Sequence, residues 1–181
     1  MKKYFLLLVL FASMLKSYSQ TVTAPEPEYK GNIVLIKNGV PVPLEKEKCF
    51  NKTGYSASIY IVGVGKANQA SVVEGISSPV RISKSDTLML IVRYQDNSVD
   101  PIQIINFFKL EKDTKHDQRF IRTASSKVFT ASEEMKIKMV PFSYKKYGTS
   151  SYLLKVEHLE PGEYALTLEG SRGVFNMFGV D

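Results

Sequence analysis

The chain has only two histidines, and neither has the neighbours that a nucleophile or a metal needs. His116 lies in "DTKHDQ" (113–118) beside Asp117, and His158 follows Glu157. Nucleophilic catalysis requires a Ser or Cys within hydrogen-bond reach of a His that an acid orients. No G-x-S-x-G elbow or comparable motif marks such a serine. A zinc site requires three or four N, S or O ligands, and His116, His158 and Cys49 are not spaced to supply them. Cys49 is the only cysteine, so no intramolecular disulfide forms. With no His near it in sequence, it reads as a small buried hydrophobe, not a thiolate.

Carboxylates offer two further chemistries. Glycoside hydrolysis needs two of them facing across a cleft. Glu45 with Glu47, or Glu157 with Glu160, supplies pairs that read as solvated strand faces. In "DNSVDP" (96–101), Asp96, Asn97, Ser98 and Asp100 are hard oxygen ligands of the kind calcium takes. The stretch lacks the Gly and the Glu that complete an EF-hand loop, and a turn closed by its own Asx hydrogen bonds accounts for it. Asp96, Ser98 and Asp100 therefore stand as a weak calcium candidate, and no metal or cofactor is expected. "VGVGKANQ" (62–69) has glycines and a lysine but no GK-[ST] and no helix to follow, so it is no phosphate loop.

The elements that would position these residues are strands. "GNIVLIK" (31–37) runs into the turn "KNG", a hairpin signal. Pro41 and Pro43 confine the start of "VPVPLEKEKCF" to a sheet edge. Further short strands are expected at 56–65, 70–75, 78–83, 86–95 and 102–112, the last pairing with 119–126 across the charged tip. "MKIKM" (135–139) alternates, and 150–159, 163–170 and 173–180 complete the set. One helical turn is expected in "TASEEMKI" (130–137), capped by Thr130 or Ser132. About ten short strands at this spacing predict an all-β Greek-key sandwich. "LEPGEYALTL" (159–168) predicts a tyrosine corner, where Pro161 and Gly162 turn the chain between sheets and the Tyr164 hydroxyl reaches back to the backbone.

The start of the chain has a different grammar. Lys2 and Lys3, an apolar run from Tyr4 to Leu15, and Ser17 and Ser19 before Gln20 form a secretory signal peptide over 1–19. The run is shorter than the roughly 20 residues that span a bilayer, and no later apolar span follows, so no transmembrane segment is expected after removal. Residues 20–28, "QTVTAPEPE", read as a flexible leader, and 29–181 as one β-sandwich domain. Loss of Lys2, Lys3 and Lys16 lowers the formal charge from +6 to +3. That is too mild to argue for a nucleic-acid partner.

The tyrosine corner resembles those of immunoglobulin-like and transthyretin-like modules. The absence of Trp and of a cysteine pair departs from true immunoglobulin domains. The whole mature chain resembles a group of exported proteins of Bacteroidetes bacteria with an immunoglobulin-like sandwich and no known activity. The resemblance rests on "EPEYKGNIVLIKNGVPVPLEKE", "DNSVDPIQIINFFKLEK", "KKYGTSSYLLKVEHLEPGEYAL" and the terminal "FGVD". It implies a Gram-negative envelope: the periplasm, the outer membrane or the cell exterior. Asp86-Thr87-Leu88 resembles the O-glycosylation acceptor of these bacteria, which makes Thr87 a possible acceptor. In a eukaryotic secretory route the sequon Asn51-Lys52-Thr53 would read as a glycan site. The expected role is a non-catalytic binding or assembly module whose partner is another envelope protein or a glycan. The alternatives are a glycan-binding accessory protein and a hydrolase of an envelope or dietary polymer.

Overall fold

The computed structural model describes residues 22–55, 66–127, 137–171 and 173–181. The signal peptide expected over 1–19, the strand expected at 56–65 and nearly all of the helical turn expected at 130–137 lie outside the described residues. Within them the chain forms β1 (Ile33–Lys37), β2 (Val40–Pro43), β3 (Glu45–Lys48), β4 (Phe50–Tyr55), β5 (Lys66–Glu74), β6 (Arg81–Ile82) and β7 (Leu88–Arg93). One helical turn, α1 (Pro101–Ile104), precedes β8 (Ile105–Asp113) and β9 (Gln118–Lys127). The chain closes with β10 (Ser143–Tyr147), β11 (Ser151–Val156), β12 (Gly162–Leu168) and β13 (Val174–Val180). No helix of the described residues is long and apolar enough to cross a membrane.

The strands form a sandwich of two sheets, one of five strands in the order β10-β11-β7-β1-β2. The other has eight, β3-β13-β12-β8-β9-β5-β4, with the two-residue β6 parallel to β13. β7 leaves the first sheet to become β8 in the second, β11 does the same to become β12, and β12 turns back as β13. The runs β1-β7-β11-β10 and β8-β12-β13 have the order and crossings of an immunoglobulin-like Greek key. β2 to β6 and β9 are additions that bring the described total to thirteen strands, against about ten expected.

Alternation along the strands places two cores, one on each face of the eight-stranded sheet. In β12, Tyr164, Leu166 and Leu168 point into the main core between the sheets, with Leu35, Leu90, Leu154 and Phe178. Ala165 points the other way, into a second core with Phe108, Leu110, Phe175 and Met177. The sheet curls around that second core because β8 pairs with β12 over Ile105–Leu110 and with β9 only over Glu111–Asp113. Fully burying each such side chain contributes roughly 1.5–3 kcal/mol, so β12 and β8 are stabilised from both sides.

Local chemistry explains where strands depart from expectation. The strand expected from 102 begins instead as α1, because the Asp100 side chain accepts from Ile102 N and Pro101 supplies a preset φ for the first turn. β10 (SYKKY), too charged to stand out, is held by five register pairs with β11. The strand expected over 78–83 shrinks to Arg81–Ile82. Of "MKIKM", the described part is no strand, since Met139 only bridges to Phe108 and its side chain is 47% exposed.

At the β11–β12 crossing the Tyr164 hydroxyl donates to Glu160 O at 2.6 Å. Its ring stacks on Phe178 at 5.7 Å and meets Phe107 edge-on at 6.0 Å. Gly162 has φ +153, open to glycine alone without strain. The geometry is that of a tyrosine corner.

Candidate binding site

The residues with chemical potential in the sequence are dispersed, and most of them are already engaged. His116 Nδ1 lies 2.7 Å from Asp113 Oδ2 on an exposed hairpin tip, and His158 is exposed elsewhere at φ +60. Cys49 is half-buried against the second core and donates its N–H to Gly173 O. Glu157 pairs with Lys155 at 2.6 Å and Glu160 with Lys84 at 2.9 Å, while Glu47 is an exposed strand residue. The strand-face reading does not hold for Glu45, a half-buried acceptor of Arg119.

The calcium candidate is used up by its own turn. Asp96 Oδ1 accepts from Ser98 N at 2.8 Å and from the Ser98 hydroxyl, bonds that hold its carboxyl below the usual range. Asp100 Oδ1 caps α1 and accepts the Tyr144 hydroxyl at 2.8 Å. Among the described residues no group of three His, Cys, Asp or Glu is placed to hold a metal. In the sequon, Asn51 accepts from the Ser71 hydroxyl and Lys52 donates to Gln118. Most of "VGVGKANQ" lies outside the described residues.

What the fold does build is a groove of about 890 Å³ on the outer face of the five-stranded sheet. Its floor includes Ile36, Met89 and Leu153, the outward residues of β1, β7 and β11. Lys37, Lys145 and Lys155 stand at its rim against the single acid Asp86. Thr87, exposed just before β7, is on the same rim. Comparison of the chain with protein-family models, with curated proteins and with solved structures found no match.

One end of the groove is bounded by Val22 and Thr23. The segment expected as a flexible leader is therefore held, over residues 22–27, against the sheet. Ala24 is buried on Ile36, Ile91 and Leu153. Its carbonyl accepts the Tyr147 hydroxyl, and Pro27 O accepts from Arg93 Nη1 at 2.6 Å.

The Glu26 carboxylate is the strongest tie. It accepts from Thr149 N at 2.7 Å, Ser150 N at 3.1 Å, the Ser151 hydroxyl at 2.6 Å, and the Thr149 and Ser150 hydroxyls. Hydrogen bonds to the charged form, that of Ser151 foremost, pull its pKa down to about 2. Gly148, at φ +57, leaves the space, for a Cβ there would lie 1.9 Å from Glu26 Oε1.

Sequence reading also missed a buried charge network on the second-core side of the eight-stranded sheet. Glu163 and Arg119 are 0% and 1% exposed. Glu163 Oε1 lies 2.6 Å from Arg81 Nη1 and 3.4 Å from Lys112 Nζ, and Oε2 accepts from Ser78 N. Arg119 forks onto Glu45 at 2.8 and 2.9 Å and donates from Nε to Gly75 O. Arg81 also pairs with Asp181, which holds the guanidinium charged and the Asp181 carboxyl below its usual range. Every charge here faces an opposite one, so the network pins β3, β6, β9 and β12 together. The signal was an acid inside the otherwise apolar alternation of "GEYALTL".

Proposed function

We propose that the chain is an exported, non-catalytic binding or assembly module of a Gram-negative, Bacteroidetes-type envelope, and that the outer face of its five-stranded sheet receives the partner. The observation that carries this reading is the groove, an apolar floor of Ile36, Met89 and Leu153 under a polar rim in which Lys155 is paired with Glu157 and Lys37 with Arg81 O. Concave apolar surfaces with a few placed polar groups are where proteins take ligands. The catalytic alternative has less support, since each of the carboxylates considered for hydrolysis is tied to a cation or stands alone.

Site-specific photo-crosslinking in intact cells tests it. A crosslinker at Met89 should capture a discrete partner, whereas one at Lys115, on the far hairpin tip, should not. Equal capture from both positions would sink the reading.

A glycan partner is the second reading, favoured by Tyr144 on edge strand β10, which shares the inward face of Leu154 and so lies off the groove floor. Its ring is 39% exposed and lies 6.2 Å from Phe142, an aromatic pair on which a sugar ring could stack. Capture of polysaccharide at Tyr144 would select it over a protein partner.

A further inference from the structure

We propose that residues 22–27 are a strap latched by Glu26 into a peptide site on the five-stranded sheet, and that this site takes an extended acidic peptide of a protein partner when the strap lifts. The proposal rests on the reading of this face as the binding face and names its ligand class.

The strap shows what the site accepts. Val22, Ala24 and Glu26 face the sheet while Thr23 and Pro25 face solvent, the alternation of an extended chain. Ala24 fills a shallow apolar seat on Ile36, Ile91 and Leu153, and two residues on, the carboxylate enters a ring of five donors. The matching ligand is an extended segment with a small apolar residue at one position and Asp or Glu two positions later. The rim charge adds a smaller bias: Lys155 is paired with Glu157 and Lys37 donates to Arg81 O, which leaves Lys145, among the described residues, as the rim cation without such a tie.

The strap is also built to leave. It is not a strand of the sheet, and Pro25 and Pro27 have no N–H with which to join one. Among the described residues, its polar hold on the sheet is the Glu26 side chain and the two carbonyls bonded by Tyr147 and Arg93. Segments held by few backbone bonds open at low cost without global unfolding. Arg93 Nε lies buried without a partner beneath the Pro27 end. The strapped form leaves that donor unused, and a carbonyl or second carboxylate of another occupant would satisfy it.

The test uses the full mature chain and a labelled ten-residue peptide, QTVTAPEPEY, the protein's own residues 20–29. Glu26→Ala should capture the peptide at least tenfold more tightly than wild type by fluorescence anisotropy. The same peptide with Gln at the Glu26 position should bind at least tenfold more weakly, and the double variant Glu26→Ala/Ser151→Ala should lose capture. Hydrogen exchange should show the Thr149 and Ser150 amides opening in Glu26→Ala while β12 and β13 stay protected. Equal capture by wild type and variant, or no capture by a variant whose amides have opened, overturns the proposal. A wild-type dimer that disappears in Glu26→Ala would instead assign the site to a second copy, and also overturns it. Crosslinking from Met89 that persists after such a failure would leave the binding-face reading standing, whereas its loss as well would remove both.

Discussion

The Tyr164 hydroxyl donates to the backbone oxygen of Glu160 across 2.6 Å, four residues back along the same chain. The bond closes the loop that carries β11 out of one sheet and β12 into the other. Burial raises the pKa of the phenol, so it remains a donor through the ordinary pH range.

Tyr164→Phe keeps the stacking on Phe178 and removes only that bond, leaving Glu160 O short of a partner. The expected cost is about 1–3 kcal/mol, or several degrees of melting temperature. Tyr29→Phe, at a ring 63% exposed, serves as control and should stay within roughly 0.5 kcal/mol. Denaturant melts of both variants check this, and a Tyr164→Phe loss no larger than the control's rejects the corner as a stabilising device.

Gly179 faces Glu163 across the β12–β13 pair, and a Cβ on it would lie 1.6 Å from Arg81 Nη1. Gly179→Ala should therefore push Arg81 off a buried carboxylate, an uncompensation that costs about 3–5 kcal/mol at a fully buried pair and less here, where Arg81 is partly exposed. In an Arg81→Ala background the same change should cost less than about 0.5 kcal/mol, because the atoms it displaces are gone. Additive costs in the double-mutant cycle would show that Gly179 acts through the backbone instead.

The Glu26 latch should have a pH signature. Its folded pKa of about 2 lies below the ordinary 4.5. The stability it adds is therefore fully present above the unfolded value and fades as pH falls from about 4.5 towards 2. The melting-temperature gap between wild type and Glu26→Gln should be constant from neutral pH down to about 5, then close in more acid buffer. A gap that widens on acidification would contradict the assignment.

Asp100→Ala removes the cap of α1 and the partner of the Tyr144 hydroxyl. It should cost about 1 kcal/mol, as for other N-cap losses. Calcium added at millimolar concentration should shift neither wild type nor variant in a thermal melt. A rise in wild type that is absent from Asp100→Ala would restore Asp96, Ser98 and Asp100 as ligands.

What could be read from sequence was local. Pro161, Gly162 and Tyr164 lie within four residues, and the turn they make is a property of those residues. Pro41 and Pro43 likewise put β2 at the sheet edge in one step. α1 was not legible because the run from Ile102 to Leu110 reads as one apolar strand, and a four-residue turn capped by Asp100 has no pattern of its own to interrupt it. β10 was missed because a strand resting on one neighbour needs little apolar alternation of its own. Glu26 meets its donors 123 to 125 positions away, and no local pattern encodes that distance. Arg119 and Glu163 were invisible for a related reason. Charged residues default to solvent, and only the curl of the eight-stranded sheet buries these two together.

β13 is the last described strand to leave a ribosome, yet it lies between β12 and β3 and carries β6 on its flank. Until it emerges, β3 and β6 have no ladder to join and the main core lacks Phe178 and Val180. Pairing between β3 and β13 also closes a loop of more than a hundred residues, a slow step. Synthesis alone would thus keep the nascent chain from locking its second sheet early. A sheet whose closing partner lies this far along the chain completes its core only late in folding.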